Sequence, residues 1–243
     1  MMEDRKIDIL GVCETRTKQE GQKKLHNDYV YIYKGNEEGK HGVGFVLRPA
    51  IAGKVNEIIY KNERIISISI DLKTEGISLI MISAPQQGRT VEEKEGFYGE
   101  MQETYENVRY GNTTVILGDW NGHVGRESLE GVLGAFSIGN RNAEGSRITD
   151  FCIMNGLSIM NTYYKHRDSH KWSWYRWNEI EQRYTDKSMI DLFVTNNKKL
   201  FCDVKSIPSA SMNSDHRMVI AKMRMLKPIP KKKKKTRRLK LKN

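Results

Sequence analysis

A chain of 243 residues is long enough to bury a core of its own without disulfide or metal staples. With 38% hydrophobic and 29% charged residues it reads as a folded protein, and no apolar run approaches the ~18 residues of a membrane span. Residues 226–243 hold ten Lys or Arg and no acid; taking those ten from 41 leaves 31 basic against 30 acidic residues, which excludes a uniformly basic nucleic-acid-coating domain.

Residues 7–13 form a short apolar run closed by Glu14. Segments 29–33, 43–47 and 65–70 are strand-like, with β-branched residues and period-two alternation. The continuous apolar runs 77–82 (ISLIMI) and 113–117 (TTVIL) suit strands buried on both faces. Between them, acids early in 91–108 and Phe97, Met101, Tyr105 and Val108 at helical spacing predict an amphipathic helix. A second helix is predicted over 142–155, with Ile148, Phe151, Cys152 and Met154 inward and Gly156 as C-cap. Strand-like segments follow at 157–161, 172–174, 189–195, 204–207 and 218–225. This order predicts an α/β fold of two packed sheets flanked by helices. One domain over 1–225 and a disordered basic tail over 226–243 complete the organisation. The N-terminus has no apolar signal core, and Cys13, Cys152 and Cys202 are widely spaced. Both suit a reduced, intracellular protein without a zinc site or disulfide frame.

Four places carry candidate chemistry. In Val115-Ile-Leu-Gly-Asp119-Trp-Asn121-Gly, apolar residues lead to an acid and an amide two positions apart. On an extended backbone the two side chains point the same way; a plain Asp-Asn turn is the competing reading. Asp215-His216 sets a carboxylate beside an imidazole, suited to metal binding or proton transfer, with a surface turn as the alternative. Glu14 closes a strand and means little alone. Asp191 interrupts the apolar strand MIDLF, so burial demands a partner, most naturally a histidine.

The ordered set resembles the endonuclease/exonuclease/phosphatase superfamily. The wording is most similar to endonuclease domains of non-long-terminal-repeat retrotransposons and to craniofacial development protein 2-like proteins. The stretches that carry the resemblance are DILGVCETR (8–16), GVGFVL (42–47), ISAPQQG (82–88), GDWNGHVG (118–125), 139–174, MIDLF (189–193) and SDHRMVIAKMRM (214–225). It implies a four-layer α/β sandwich like deoxyribonuclease I, and magnesium, or manganese in its place, as cofactor. By the same resemblance Glu14 and Asp215 match metal-site acids. Asp119 matches the residue that activates water, Asn121 and His216 the groups that hold the phosphate, and Asp191 the carboxylate that orients the histidine.

Two departures stand out. The superfamily's usual first strand, which carries an asparagine, is expected to be lacking, because the Glu14 strand comes at once. Ser83-Ala84-Pro85 stands where relatives read Ser-Ala-Tyr-Ala-Pro, so the active-site tyrosine is missing.

The resemblance implies metal-dependent hydrolysis of DNA phosphodiesters by a retrotransposon-derived endonuclease. The departures open the alternative of a catalytically inactive nucleic-acid-binding or interaction module tethered by its tail. Arg167, Lys171 and Arg176, among the aromatic residues of 163–177, are candidate DNA contacts, while Trp172 and Trp174 read as core anchors. The lysine run suits a nuclear localisation signal or a nucleic-acid tether. It also resembles the linker that joins such a nuclease to a reverse transcriptase domain in a longer polyprotein. No membrane partner is expected, and oligomeric state is not encoded in any pattern found.

Overall fold

The computed structural model describes residues 2–72, 76–108, 112–209 and 214–224. The chain runs β1 Ile9–Cys13, β2 Glu20–Lys24, β3 Val30–Lys34, β4 Val43–Leu47, α1 Pro49–Ala52, β5 Val55–Asn62, β6 Ile65–Asp71 and β7 Gly76–Ser83. It continues through α2 Val91–Val108, β8 Asn112–Asp119, α3 Ala143–Asn155, β9 Ser158–Ile159, β10 Trp174–Asn178, β11 Arg183–Ser188, β12 Asp191–Thr195, β13 Phe201–Ser206 and β14 Val219–Met223. The expected basic tail, 226–243, lies outside the described residues, as does the expected domain end at Met225.

Two sheets form the body. One has the order β1-β4-β3-β2, the other β5-β6-β7-β8-β12-β9, and β10-β11 and β13-β14 are separate hairpins. All ladders are antiparallel except β7-β8, whose parallel crossover is α2. Period-two alternation divides the core. Ile66, Ile68, Leu79, Met81, Val115 and Leu117 face Ile32, Phe45 and Leu47 of the four-stranded sheet. Ile65, Ile80, Ile82 and Ile116 turn to the other face, against Phe97 and Met101 of α2 and Ile148 and Phe151 of α3. Each such fully buried side chain contributes about 1.5–3 kcal/mol, which fixes the register, since a one-residue slip would exchange the faces. The packed sheets flanked by helices are the expected α/β sandwich.

The helix ends follow from local chemistry. Thr90 and Glu93 form a capping box before α2: Thr90 N donates to Glu93 Oε2 and Glu93 N to Thr90 Oγ1, both at 3.2 Å. Asn142 caps α3, and Gly156 ends it in the left-handed region. Met154 does not face inward as expected; it is 80% exposed, because α3 buries only the stripe through Ile148, Phe151 and Cys152. Trp172 and Ser173 precede their strand rather than lie in it, since β10 starts at Trp174, where pairing with Ser188 begins. Strand β1 pairs with β4 alone among the described residues, so its other edge faces no strand there.

Candidate active site

Antiparallel pairing of β12 with β8 sets the start of one strand beside the end of the other, so Asp191 lies directly opposite Asp119. Gly118, just before, has φ 133°, and a Cβ there would stand 2.0 Å from the Ile82 carbonyl oxygen. Only glycine lets β8 approach β7 this closely while delivering Asp119 to the rim. Asp119 is 8% exposed. Its Oδ1 accepts the Asn121 amide N–H at 2.9 Å, and its Oδ2 accepts Asn121 Nδ2 at 2.8 Å. Asn121 Nδ2 also donates to the Ala84 carbonyl at 2.8 Å. The two side chains therefore meet, but not on extended backbone: Asn121 has φ 49°, and the left-handed turn folds its amide back onto the carboxylate. The next turn is pinned to α3, because Asn142 Oδ1 accepts from both His123 N at 3.0 Å and Gly145 N at 2.8 Å.

His216 Nδ1 lies 3.0 Å from Asp191 Oδ2, supplying the partner that the buried-strand argument demands. Burial works to lower the His216 pKa, but the hydrogen bond and charge of Asp191 prevail and raise it to about 9. Burial, then the charge of Asp191, raises Asp119 to about 7 against the pull of His216. At neutral pH the site therefore holds an imidazolium beside a carboxyl poised to exchange a proton.

Glu14 follows β1 with φ 50°, is exposed, and forms no hydrogen bond or ion pair among the described residues. Its charge contributes to raising Asp119, so Glu14 and His216 both act on the same carboxyl. Asp215 is exposed; its Oδ2 accepts Trp174 Nε1 at 2.7 Å, its carbonyl accepts Tyr175 N at 3.1 Å, and its charge helps to raise His216. Among the described residues no three His, Cys, Asp or Glu stand close enough to hold a metal ion. The donor chemistry suits a hard divalent cation, because the charges of Asp191 and Glu14 both bear on the Asp119 carboxyl.

Several supporting residues carry no sequence signal. Buried Ser173 Oγ accepts Ile190 N at 3.2 Å and Asp191 N at 3.0 Å. Asn161 Nδ2 donates to the Asp191 carbonyl at 2.9 Å, and its Oδ1 accepts Phe193 N at 2.8 Å. Together they lock the strand that carries Asp191.

Trp174, in the segment that carries the expected nucleic-acid contacts, bridges to His216. Trp172 is buried and acts as the anticipated anchor, while Trp174 is half-buried against Asp215. The Arg217 guanidinium stacks 3.3 Å from the Trp172 ring centroid, a cation that sequence reasoning did not single out. Arg176 is exposed but leans on Asp186 at 3.5 Å and over Trp174 at 5.7 Å. Lys171 turns onto Asp168 at 3.2 Å, and Arg167 is exposed. Beyond them the β10–β11 hairpin presents Trp177, Tyr184 and the 95%-exposed Ile180.

No family model matches the chain. It is 32% identical over 235 residues to craniofacial development protein 2 of Bos taurus, covering 95% of this chain and 38% of that one. Craniofacial development protein 2 of Tragulus javanicus is 31% identical over 230 residues, covering 93% and 39%. The chain thus spans about two fifths of the length of these relatives. Among solved structures, the endonuclease domain of TRAS1, a telomere-specific non-LTR retrotransposon, superposes with TM-score 0.64 at 13% identity, over 93% of this chain and 90% of that one. An AP endonuclease from Archaeoglobus fulgidus gives TM-score 0.64 at 16% identity over 92% and 91%. An endonuclease/exonuclease/phosphatase family protein from Leptotrichia buccalis gives 0.59 at 14% over 92% and 90%. Its packed sheets and these superpositions agree that the chain has the endonuclease/exonuclease/phosphatase fold.

Proposed function

We propose that this chain hydrolyses DNA phosphodiesters with a divalent cation, magnesium or manganese, as a nicking endonuclease domain of retrotransposon origin. The single observation that carries the reading is the Asp191–His216 pair set beside Asp119, with Asn121 folded onto the same carboxyl.

Hydrolysis requires a water oxygen to bond to phosphorus, a P–O ester bond to break with its electron pair going to the departing sugar oxygen, which takes a proton from solvent, and the attacking water's proton to leave. Asp119, with a pKa near 7, takes that proton at neutral pH. Cationic His216, held by Asp191, donates to a nonbridging phosphate oxygen, while Asn121, whose amide spans the Ala84 carbonyl and Asp119 Oδ2, fixes the carboxyl that faces the water. Glu14 is the carboxylate that would hold a cation, and Asp215 flanks it from the His216 side. Such a cation supplies charge neutralisation at the phosphorane oxygens. Arg176, Arg217 and Arg167 offer phosphate contacts, and exposed Trp177 a stacking ring. The basic run at 231–242 serves as a DNA tether and a nuclear address, and a reverse transcriptase domain in a longer parent chain is its proposed neighbour.

Plasmid nicking with magnesium tests this. Wild type should nick at least a hundredfold faster than Asp119→Ala and His216→Ala; equal traces in all three would reject catalysis here.

A second reading, a catalytically inactive nucleic-acid-binding module, is favoured by one observation: no three metal-ligating side chains are gathered among the described residues. It predicts salt-dependent DNA binding that falls when 226–243 are removed, without any nicking.

A further inference from the structure

The rim holds another cationic group, on its β5–β6 side, that the chemistry above leaves unused. Arg64 sits in the turn between those strands, half-buried. Its Nη1 donates to the Ser83 carbonyl at 3.1 Å, and its own carbonyl accepts Ser83 N at 2.9 Å. Ser83 lies opposite Asp119 in the β7–β8 ladder, and Ala84 beside it accepts the Asn121 amide. Arg64 is therefore anchored one residue from the site's own scaffold.

His41 orients it, with Nε2 at 3.3 Å from Arg64 Nη2. The loop bearing His41 is tied in turn to the residues after Glu14: Arg16 N donates to the His41 carbonyl at 2.7 Å, and Thr15 N to that of Gly42 at 3.1 Å. Arg64 forms no ion pair among the described residues, although Glu63, Glu93 and Glu14 act on it from farther away. Arg89 adds a second positive charge that disfavours the first, and it pairs with Glu93 only at 3.7 Å.

Burial disfavours the charge of a half-buried guanidinium, Arg89 adds to that against the pull of Glu63, Glu93 and Glu14, and an anion hydrogen-bonded to it would offset the cost. Two of its five N–H groups are engaged, so a fork of donors stays available. A phosphate is the anion whose geometry fits such a fork.

We propose that Arg64, positioned by His41, binds the phosphodiester next to the scissile one on the nicked strand. This rests on the phosphodiesterase reading, with His216 gripping the scissile group and Arg64 its neighbour. It gives the site two phosphate grips on one strand, and hence a preference for a continuous DNA chain over a phosphorylated small molecule.

The test combines nicking kinetics with anisotropy of a fluorescent duplex titrated against salt, with thermal midpoints confirming folding. Arg64→Gln should raise KM about tenfold with kcat within about twofold. It should also lower the slope of log affinity on log salt by about 0.9. Arg64→Lys should restore most of the slope, whereas His41→Ala should raise KM with the slope unchanged. In wild type, a methylphosphonate at the linkage next to the scissile one should weaken binding, and Arg64→Gln should be insensitive at that position. That scan needs no variant to fold for its first half. If wild type nicks but shows no such position, or if Arg64→Gln changes neither KM nor slope, the subsite is refuted while the hydrolytic reading stands. If wild type nicks no faster than His216→Ala, the hydrolytic reading falls. The salt slope of Arg64→Gln then decides the phosphate contact alone: a drop keeps Arg64 as a backbone-phosphate contact of a binding module, no drop overturns it.

Discussion

Replacing Asp119 with Asn should make the protein more stable while it stops working. Burial and Asp191 raise the carboxyl from 3.8 to about 7, so the folded state holds its proton more tightly than the unfolded chain does. The sign follows. The native state is favoured relative to the ionised unfolded chain only while Asp119 stays protonated. The penalty is absent below pH 3.8, grows as pH rises, and is complete above 7. Three pKa units at ~1.36 kcal/mol each give a gross penalty of about 4 kcal/mol at pH 8. Asn removes that charge but turns an amide toward Asn121 Nδ2, which loses the 2.8 Å bond to Oδ2, a cost of about 1–3 kcal/mol. The expected net gain is about 1–3 kcal/mol at pH 8, turning into a loss near pH 4. Urea unfolding in EDTA at pH 4, 6 and 8, with nicking measured in parallel, reads both effects. A loss of stability of the same size at all three pH values would refute the claim that Asp119 is held ionised against its surroundings.

Nicking should follow a bell between the two shifted groups, rising through pH ~7 as Asp119 ionises and falling through pH ~9 as His216 loses its proton. A flat rate from pH 6 to 10 would contradict it. Asp191→Asn should bring the His216 titration, followed by imidazole NMR, down from about 9 and slow nicking by a factor of about 10²–10⁴. Gly118→Ala should destabilise by about 3 kcal/mol or more, because its Cβ meets the Ile82 carbonyl at 2.0 Å in backbone that strains L-residues. A change under about 1 kcal/mol in urea would count against that packing. Magnesium at a hundred times its Kd should stabilise wild type by about 2.7 kcal/mol, and Glu14→Gln much less; equal shifts in both would move the cation elsewhere.

The sheets were legible where burial writes a pattern. Ile65–Asp71 and Gly76–Ser83 alternate between two cores, and that alternation is visible as β-branched and apolar runs. Glu20–Lys24 and Arg183–Ser188 were not legible, because EGQKK and RYTDKS have no apolar face. They are strands only because β3 and β10 offer them backbone partners. Val55–Asn62 is a sheet-edge strand whose pattern is broken by two register irregularities.

In the site, an acid inside an apolar strand was informative because burying a charge is costly, so Asp191 announced a partner and His216 fills that role. Asp119 and Asn121 were legible as a pair, but the route by which they meet was not. An i, i+2 argument assumes extended backbone, and the chain uses a left-handed Asn121 instead. Ser173, Asn161 and Arg64 were invisible for a common reason. Each acts on a backbone group far along the chain, and nothing in the spacing of a lone Ser, Asn or Arg records that. A composition argument also misplaces the working charge. The body is near neutral, yet its rim divides into a carboxylate group around Asp119 and two cationic flanks, Arg64 and Arg217 over Trp172. That division is what a phosphodiester chain requires: acids where a cation must sit, and cations where the strand's other phosphates pass.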